Sequence, residues 1–246
     1  MKLLFTADLH GYDRAYSDFA NTLKDNSFDL GVLGGDLMTF PSDTELRLAK
    51  RQLELEKVEV TDLNGTNSPH VVERALRNKE NFYKQVLRAS GKSVLFVMGN
   101  DDGILGSGSG WVTINGIVDI NQRRARWGKY SFVGYHYTSP YVGGAFEKSE
   151  TEQAKDFATL IELIDENTVL ITHSPPWGIL DTTNQGTHAG SKALRDLIEK
   201  RPPRLHLFGH IHRSFGIQGI FANGSYPDSR KFIGADLENR KLMVFE

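Results

Sequence analysis

Residues 204–212 read Arg-Leu-His-Leu-Phe-Gly-His-Ile-His, an apolar run that ends on Gly209-His210-Ile211-His212. Near the start, Leu3 to Ala7 runs into Asp8-Leu9-His10 in the same way. Side chains two apart in an extended segment share a face, so each pair is expected to point to one side. Three more apolar runs end similarly. They are Leu30-Gly31-Val32-Leu33 before Asp36, Val94-Leu95-Phe96-Val97 before Asn100, and Val169-Leu170-Ile171 before His173. Sites in open α/β sheets gather beyond the carboxyl ends of strands, so five such ends can converge.

Helical patterns separate the runs. Residues 13–25 place Phe19 and Leu23 on one face, and Ser42 with Glu45 forms a capping box that opens a helix to about Lys57. Residues 71–89 read as another helix. A second capping box, Ser149 with Glu152, opens a helix with Phe157, Leu160, Ile161 and Ile164 on one face. A further helix ends near Lys200, and β segments follow at 214–223, 231–236 and 241–245. Early alternation with a strand-rich end predicts a layered α/β architecture. Gly34-Gly35 is expected to turn the chain tightly and bring Asp36 to an exposed lip. Residues 103–110, rich in glycine, are expected to be mobile or wrapped around something.

The 246 residues are read as a single domain, 1–246, long enough to bury a sizeable core. A net charge of -2 gives no electrostatic reason to expect nucleic acid as the main partner. Cysteine is absent, which excludes disulfides, thiolate metal sites and a Cys nucleophile. Any metal must be held by nitrogen and oxygen. Asp8 and His10 arrive too early for a signal-peptide core, and no stretch nears ~18 apolar residues. A cytoplasmic protein without a membrane span is the expectation.

Asp8, His10, Asp36, Asn100, His173, His210 and His212 offer four imidazoles, two carboxylates and one carboxamide. One such ion takes roughly four to six ligands, so seven suit two ions that share a carboxylate. Two ions about 3.5–4 Å apart can clamp the attacking and leaving oxygens of a phosphoryl displacement. Mixed nitrogen and oxygen ligands favour Mn, Fe, Zn, Ni or Co over Mg or Ca, with Mn preferred.

The ordered set Asp8-Leu9-His10, Gly35-Asp36, Gly99-Asn100-Asp101-Asp102, His173 and Gly209-His210-Ile211-His212 resembles the calcineurin-like metallophosphoesterase superfamily. That family's pattern runs D-x-H, GD, GN-H-[DE], H, GHxH. With His173-Ser174-Pro175-Pro176 and Thr187-His188-Ala189-Gly190-Ser191, it looks closest to the small metallophosphoesterase-domain-containing phosphodiesterases. The resemblance implies two mixed β-sheets packed as a sandwich and flanked by helices, a four-layer fold. It implies one metal held by Asp8, His10, Asp36 and His212, and another by Asp36, Asn100, His173 and His210. A hydroxide between them would attack phosphorus in a phosphodiester, with a cyclic nucleotide as one possible substrate.

One position departs from the family. The histidine that usually follows the motif asparagine is Asp101 here. A general acid contributes roughly 10²–10⁴-fold, so weak action on esters with poor leaving groups is expected. Asp36, Asn100, Asp101 and His188 are the residues expected at the reaction itself. His188 is weighed as a substrate contact against a helix cap, and His136 as a weaker substrate candidate. His206 is read as a core residue, and Trp177 as pocket wall or packing. Arg123, Arg124 and Arg126 beside Trp127 read as a solvated hairpin, too little for a stacking platform. The expected partner is a small phosphoester. A phosphate- or nucleotide-sensing scaffold is opposed by the intact ligand set, and a nuclease by the acidic balance.

Overall fold

The computed structural model describes residues 1–25, 27–56, 68–104, 116–141, 143 and 146–245. Strand β1 (Lys2–Thr6), helix α1 (Asp13–Asp25) and β2 (Leu30–Gly34) lead to α2 (Asp43–Leu55) and α3 (Pro69–Arg88). Next come β3 (Ser93–Val97), the short α4 (Asn100–Ile104), β4 (Ile117–Asp119), β5 (Arg124–Trp127) and β6 (Tyr130–Tyr135). Helix α5 (Glu150–Leu160), β7 (Thr168–Thr172), α6 (Lys192–Lys200) and β8 (Leu205–Phe208) follow. A hairpin of β9 (Gly216–Gln218) and β10 (Phe221–Asn223), the turn α7 (Tyr226–Ser229), β11 (Phe232–Asp236) and β12 (Lys241–Phe245) come last.

Helix α1 and the two capping-box helices start where the sequence says, while α3 starts at Pro69, two residues before the expected position. Both capping boxes form: Ser42 accepts from the Glu45 N–H while Glu45 holds the Ser42 N–H at 2.7 Å, and Ser149 pairs likewise with Glu152. Ser68 caps α3 just before Pro69, and Ser191 caps α6. These side chains satisfy amides that the first helical turn leaves without partners.

Among the described residues the strands form two mixed sheets of six, in the orders β12-β11-β1-β2-β3-β4 and β5-β6-β7-β8-β10-β9. The central pairs β1–β2, β2–β3, β6–β7 and β7–β8 are parallel. The register Leu3↔Leu30 and Leu30↔Ser93 therefore puts the carboxyl ends of β1, β2 and β3 on one sheet edge. The period-two alternation of a strand sorts the core into layers. Leu3, Phe5, Leu30, Val32, Leu95 and Val97 meet Phe132, Val169, Ile171, Leu205 and Leu207 between the sheets. Leu4, Leu33 and Phe96 turn the other way, onto Phe19 and Leu23 of α1 and Tyr83 and Leu87 of α3. Val133, Tyr135 and Leu170 pack against α5 and α6. The expected four layers, helices on either side of a sandwich, are the observed ones.

Phe5 lies at the middle of the sandwich, fully buried. Its ring rests on two glycines, where a Cβ would come 2.9 Å (Gly34) and 2.5 Å (Gly224) from it. Such a close-packed site cannot collapse around a void. Phe5→Ala is expected to lower stability by about 3–5 kcal/mol in a urea titration monitored by circular dichroism. A loss under about 1 kcal/mol would mean the inter-sheet layer is loosely packed. Among the described residues no helix is long and apolar enough to cross a membrane.

Candidate metal centre

All seven candidate ligands sit just beyond strand ends, and the two sheets bring them together. The loops after β1 and β2 zip to each other outside the sheet: Asp8 N–H donates to Gly35 O at 2.9 Å, and His10 N–H to Asp36 O at 2.8 Å. Asn100 opens α4, directly after Gly99. His173 follows β7, and its carbonyl accepts the Gly209 N–H at 3.0 Å, which ties the His210 segment alongside.

Two local expectations are corrected. Asp36 is only 3% exposed, so it lies under the rim and not on a lip. The Gly209–His212 segment is not extended: His210 has φ 70°, and His212 begins a 3-10 turn. The cause is crowding where the two sheets' loops cross. A Cβ at Gly209 would stand 2.5 Å from Asp8 Oδ2, and the His210 N–H instead turns onto the Asp8 carboxylate at 3.0 and 3.1 Å. Asp8, His10 and Asp36 also adopt positive φ (58°, 41° and 49°). Non-glycine residues rarely hold that conformation, and here the surrounding hydrogen bonds impose it.

The bends divide the histidines between two groups. Asp8, His10 and His212 offer ligand atoms within 4.8 Å of one another, as do Asp36, His173 and His210. His10 Nε2 and His212 Nε2 face each other at 3.1 Å, and Asp8 Oδ1 is 3.8 Å from His212 Nε2. Asp36 Oδ2 reaches both groups, 3.3 Å from His173 Nε2 and 3.9 Å from His10 Nε2. Asn100 Oδ1 lies 3.2 Å from His173 Nε2. His173 Nδ1 donates to Gly34 O at 2.8 Å, which leaves Nε2 as its ligand atom. Facing imidazole nitrogens beside shared carboxylate oxygens are a donor set that fits divalent metal.

The electrostatics are those of a buried, mutually dependent cluster. Burial alone would raise the Asp36 carboxyl, but the His173 ring outweighs it and holds Asp36 well below the ordinary range. Burial would depress His173, yet the Asp36 charge beside it pushes that ring up to about 10. Burial pushes His210 down to about 4. Asp102 is raised to about 7 by burial and then by Asp36, although the Leu37, Met38 and Gly99 N–H groups all donate to it.

The cleft over the centre has a volume of ≈ 310 Å³, enough for a small organic ligand. Beyond His10, Asp36, Asn100, Asp101, His210 and His212 its walls are Tyr141, Thr183, Asn184, Ala189, Ile211 and Arg213. Tyr141 comes from the loop after β6, Thr183, Asn184 and Ala189 from the loop after β7, and Ile211 and Arg213 from the segment after β8, while residues 105–110 lie outside the described residues. Asp101 is half exposed, and its carboxyl is raised by burial and then by Asp36. His188 stands beside the cleft's rim rather than in its lining. Its Nδ1 donates to the buried Asp181 at 2.7 Å, and Trp177 packs on the ring at 5.3 Å. It does not cap α6, since Ser191 does. Trp177 is not in the lining either. His136 is buried on Phe146 with no partner for its Nδ1 among the described residues, and His206 is a core residue bonded to Thr172 at 2.8 Å.

Two participants had no sequence signal of their own: Ser225 donates to Asp8 Oδ2, and Asp181 fixes His188. Asp102, which ties the Asp36 loop to Gly99, stands at the [DE] position of the quoted motif but was given no role there. Arg213 was also missed, although its place directly after His212 was a signal that could have found it.

A family model described as calcineurin-like phosphoesterase matches residues 1–214. Metallophosphoesterase domain-containing protein 1 of Homo sapiens is 43% identical over 51 residues, 20% of this chain and 16% of that protein. The chain spans less than half the length of the curated relatives it matches. Among solved structures, TT1561 of Thermus thermophilus has TM-score 0.64 at 16% identity, over 99% of this chain and 97% of that one. A dimetal phosphatase from Danio rerio has TM-score 0.51 at 10% identity, over 96% and 92%. At those identities the structural likeness speaks for the fold.

Proposed function

This chain belongs to the calcineurin-like phosphoesterase family, and on that premise we propose that it is a metal-dependent phosphodiesterase acting on a small phosphoester. The observation that carries the reading is the pair of histidine–carboxylate groups that share Asp36. Asp8, His10, Asp36 and His212 would hold one divalent ion, and Asp36, Asn100, His173 and His210 the other. Mixed imidazole and carboxylate donors suit divalent ions such as Mn, Fe, Zn, Ni or Co. When bound, such ions supply Lewis acidity to the phosphoryl group and a water acidic enough to act near neutral pH.

The remaining chemistry belongs to the chain. The backbone N–H groups of His210 and Asp101 hold the Asp8 and Asp36 carboxylates in place, and Gly34 O keeps the His173 proton on Nδ1. The walls formed by Tyr141, Thr183 and Asn184 leave room for a second ester substituent. Arg213 is the one permanently charged cation among the described lining residues, which suits a monoanionic diester better than a dianionic monoester. His188, with its proton held on Nδ1 by Asp181, keeps Nε2 to meet the outer group of the substrate.

Chelator-stripped protein should regain hydrolysis of bis-p-nitrophenyl phosphate when Mn, Ni or Zn is added back, with higher kcat/KM than for p-nitrophenyl phosphate. Preference for the monoester would defeat the diester assignment. Silence with every metal, while metal still binds, would favour the phosphate-sensing scaffold.

A further inference from the structure

From the contacts around Asp101 we infer that it is a positioning carboxylate that decides which atoms of His10 and Asn100 face the ions. The inference rests on the two-ion reading above. Asp101 touches three candidate ligands; its carboxylate also lies within 4.8 Å of ligand atoms of His10 and Asp36, but its two oxygens are turned to Asn100 Nδ2 and His10 Nδ1. Its Oδ1 accepts from Asn100 Nδ2 at 2.8 Å, so the Asn100 amide is turned with Oδ1 toward His173 Nε2, 3.2 Å away. Its Oδ2 lies 3.4 Å from His10 Nδ1, which leaves Nε2 on the side of His212 and Asp36. Its backbone N–H donates to Asp36 Oδ1 at 2.9 Å.

The chemistry of the groups makes these contacts decisive. A neutral imidazole has one N–H and one lone pair, so a proton kept on Nδ1 frees Nε2 for an ion. A carboxamide presents its oxygen only if its NH₂ has somewhere else to go. A carboxylate has two acceptor oxygens: Asp101 Oδ1 takes the Asn100 hydrogen, and Oδ2, 3.4 Å from His10 Nδ1, is placed to take the other. A neutral histidine at this position, as in the family pattern, has a single acceptor nitrogen and cannot serve both. For His173 the same service comes from a backbone carbonyl, Gly34 O. The replacement of histidine by Asp101 therefore moves the residue from the leaving group to the ligand shell. Carboxylates behind metal-bound histidines typically contribute about 10–100-fold in affinity.

The test is a calorimetric titration of zinc into chelator-stripped wild type, Asp101→Ala and Asp101→Asn. It is paired with nitrogen-15 histidine NMR of the zinc-loaded proteins. Wild type should bind zinc with His10 in one state, its proton on Nδ1. Asp101→Ala should bind about 10–100-fold more weakly, with His10 spread over more than one state. Asp101→Asn, which is isosteric and keeps one acceptor oxygen, should fall between, and it carries the test if the alanine variant does not fold. Unchanged affinity and an unchanged His10 signal in the variants, beside normal wild-type binding, overturn this inference alone. Complete loss of one ion in Asp101→Asn would make Asp101 a direct ligand and also overturn it. Wild type that binds no zinc defeats the metal-centre reading and this inference with it.

Discussion

Asp36→Asn is expected to lower metal-dependent hydrolysis by more than about 100-fold with the fold intact. Partners that merely support a ligand cost about 10–100-fold when removed, and Asp36 stands closer to the centre than any of those. Its Oδ2 lies 3.3 Å from His173 Nε2 and 3.9 Å from His10 Nε2, and is thus shared by both groups. Asparagine replaces one of its two oxygens with an NH₂ that cannot ligate, and it removes a buried negative charge facing two cations. It also leaves His173 without the carboxylate that holds its proton affinity up. The measurements are kcat on a diester at saturating metal and the metal stoichiometry from calorimetry. Activity within tenfold of wild type would mean that Asp36 does not bridge.

The second large effect is steric and concerns a residue with no functional group. Gly99→Ala is expected to disable the centre about as fully as Asp36→Asn. A Cβ on Gly99 would press on Asp36 Oδ1, stand 2.5 Å from the Asp36 backbone N, and come 2.6 Å from His173 Nε2. Backbone and two buried ligands cannot all yield, since both side chains are packed and bonded on their far sides. A displacement near 1 Å in a reacting geometry can cost about 10²-fold. Gly219→Ala is the control. It has φ 62° with open space around it, so it should cost some stability through the backbone alone and leave kcat unchanged. If Gly99→Ala retains wild-type metal binding and kcat, the loop after β3 is softer than its packing implies.

Much of this was legible in the chain itself, and the reason is range. Strand runs and capping boxes act over a few residues, so Ser42–Glu45, Ser149–Glu152 and the apolar runs read correctly. The polar residues at the run ends could be named as ligands because parallel strands put their carboxyl ends on one edge. The same short-range reasoning misplaced what those ends do next. It took His210 and His212 as neighbours on one extended face and Asp36 as exposed.

The sequence by itself determined which seven side chains form the candidate centre, in what order, and on what kind of sheet. Tertiary structure alone decided how they divide, how deeply they are buried and what stands behind them. His10 meets His212 across 202 residues, and Ser225 meets Asp8 across 217. Asp101 reaches His10 because the loops after the parallel strands β1 and β3 of one mixed sheet fold over the same edge. The His10–His212 and Ser225–Asp8 contacts follow from the packing of one sheet on the other. No local propensity encodes them, since the partners are neighbours only after the sandwich has closed.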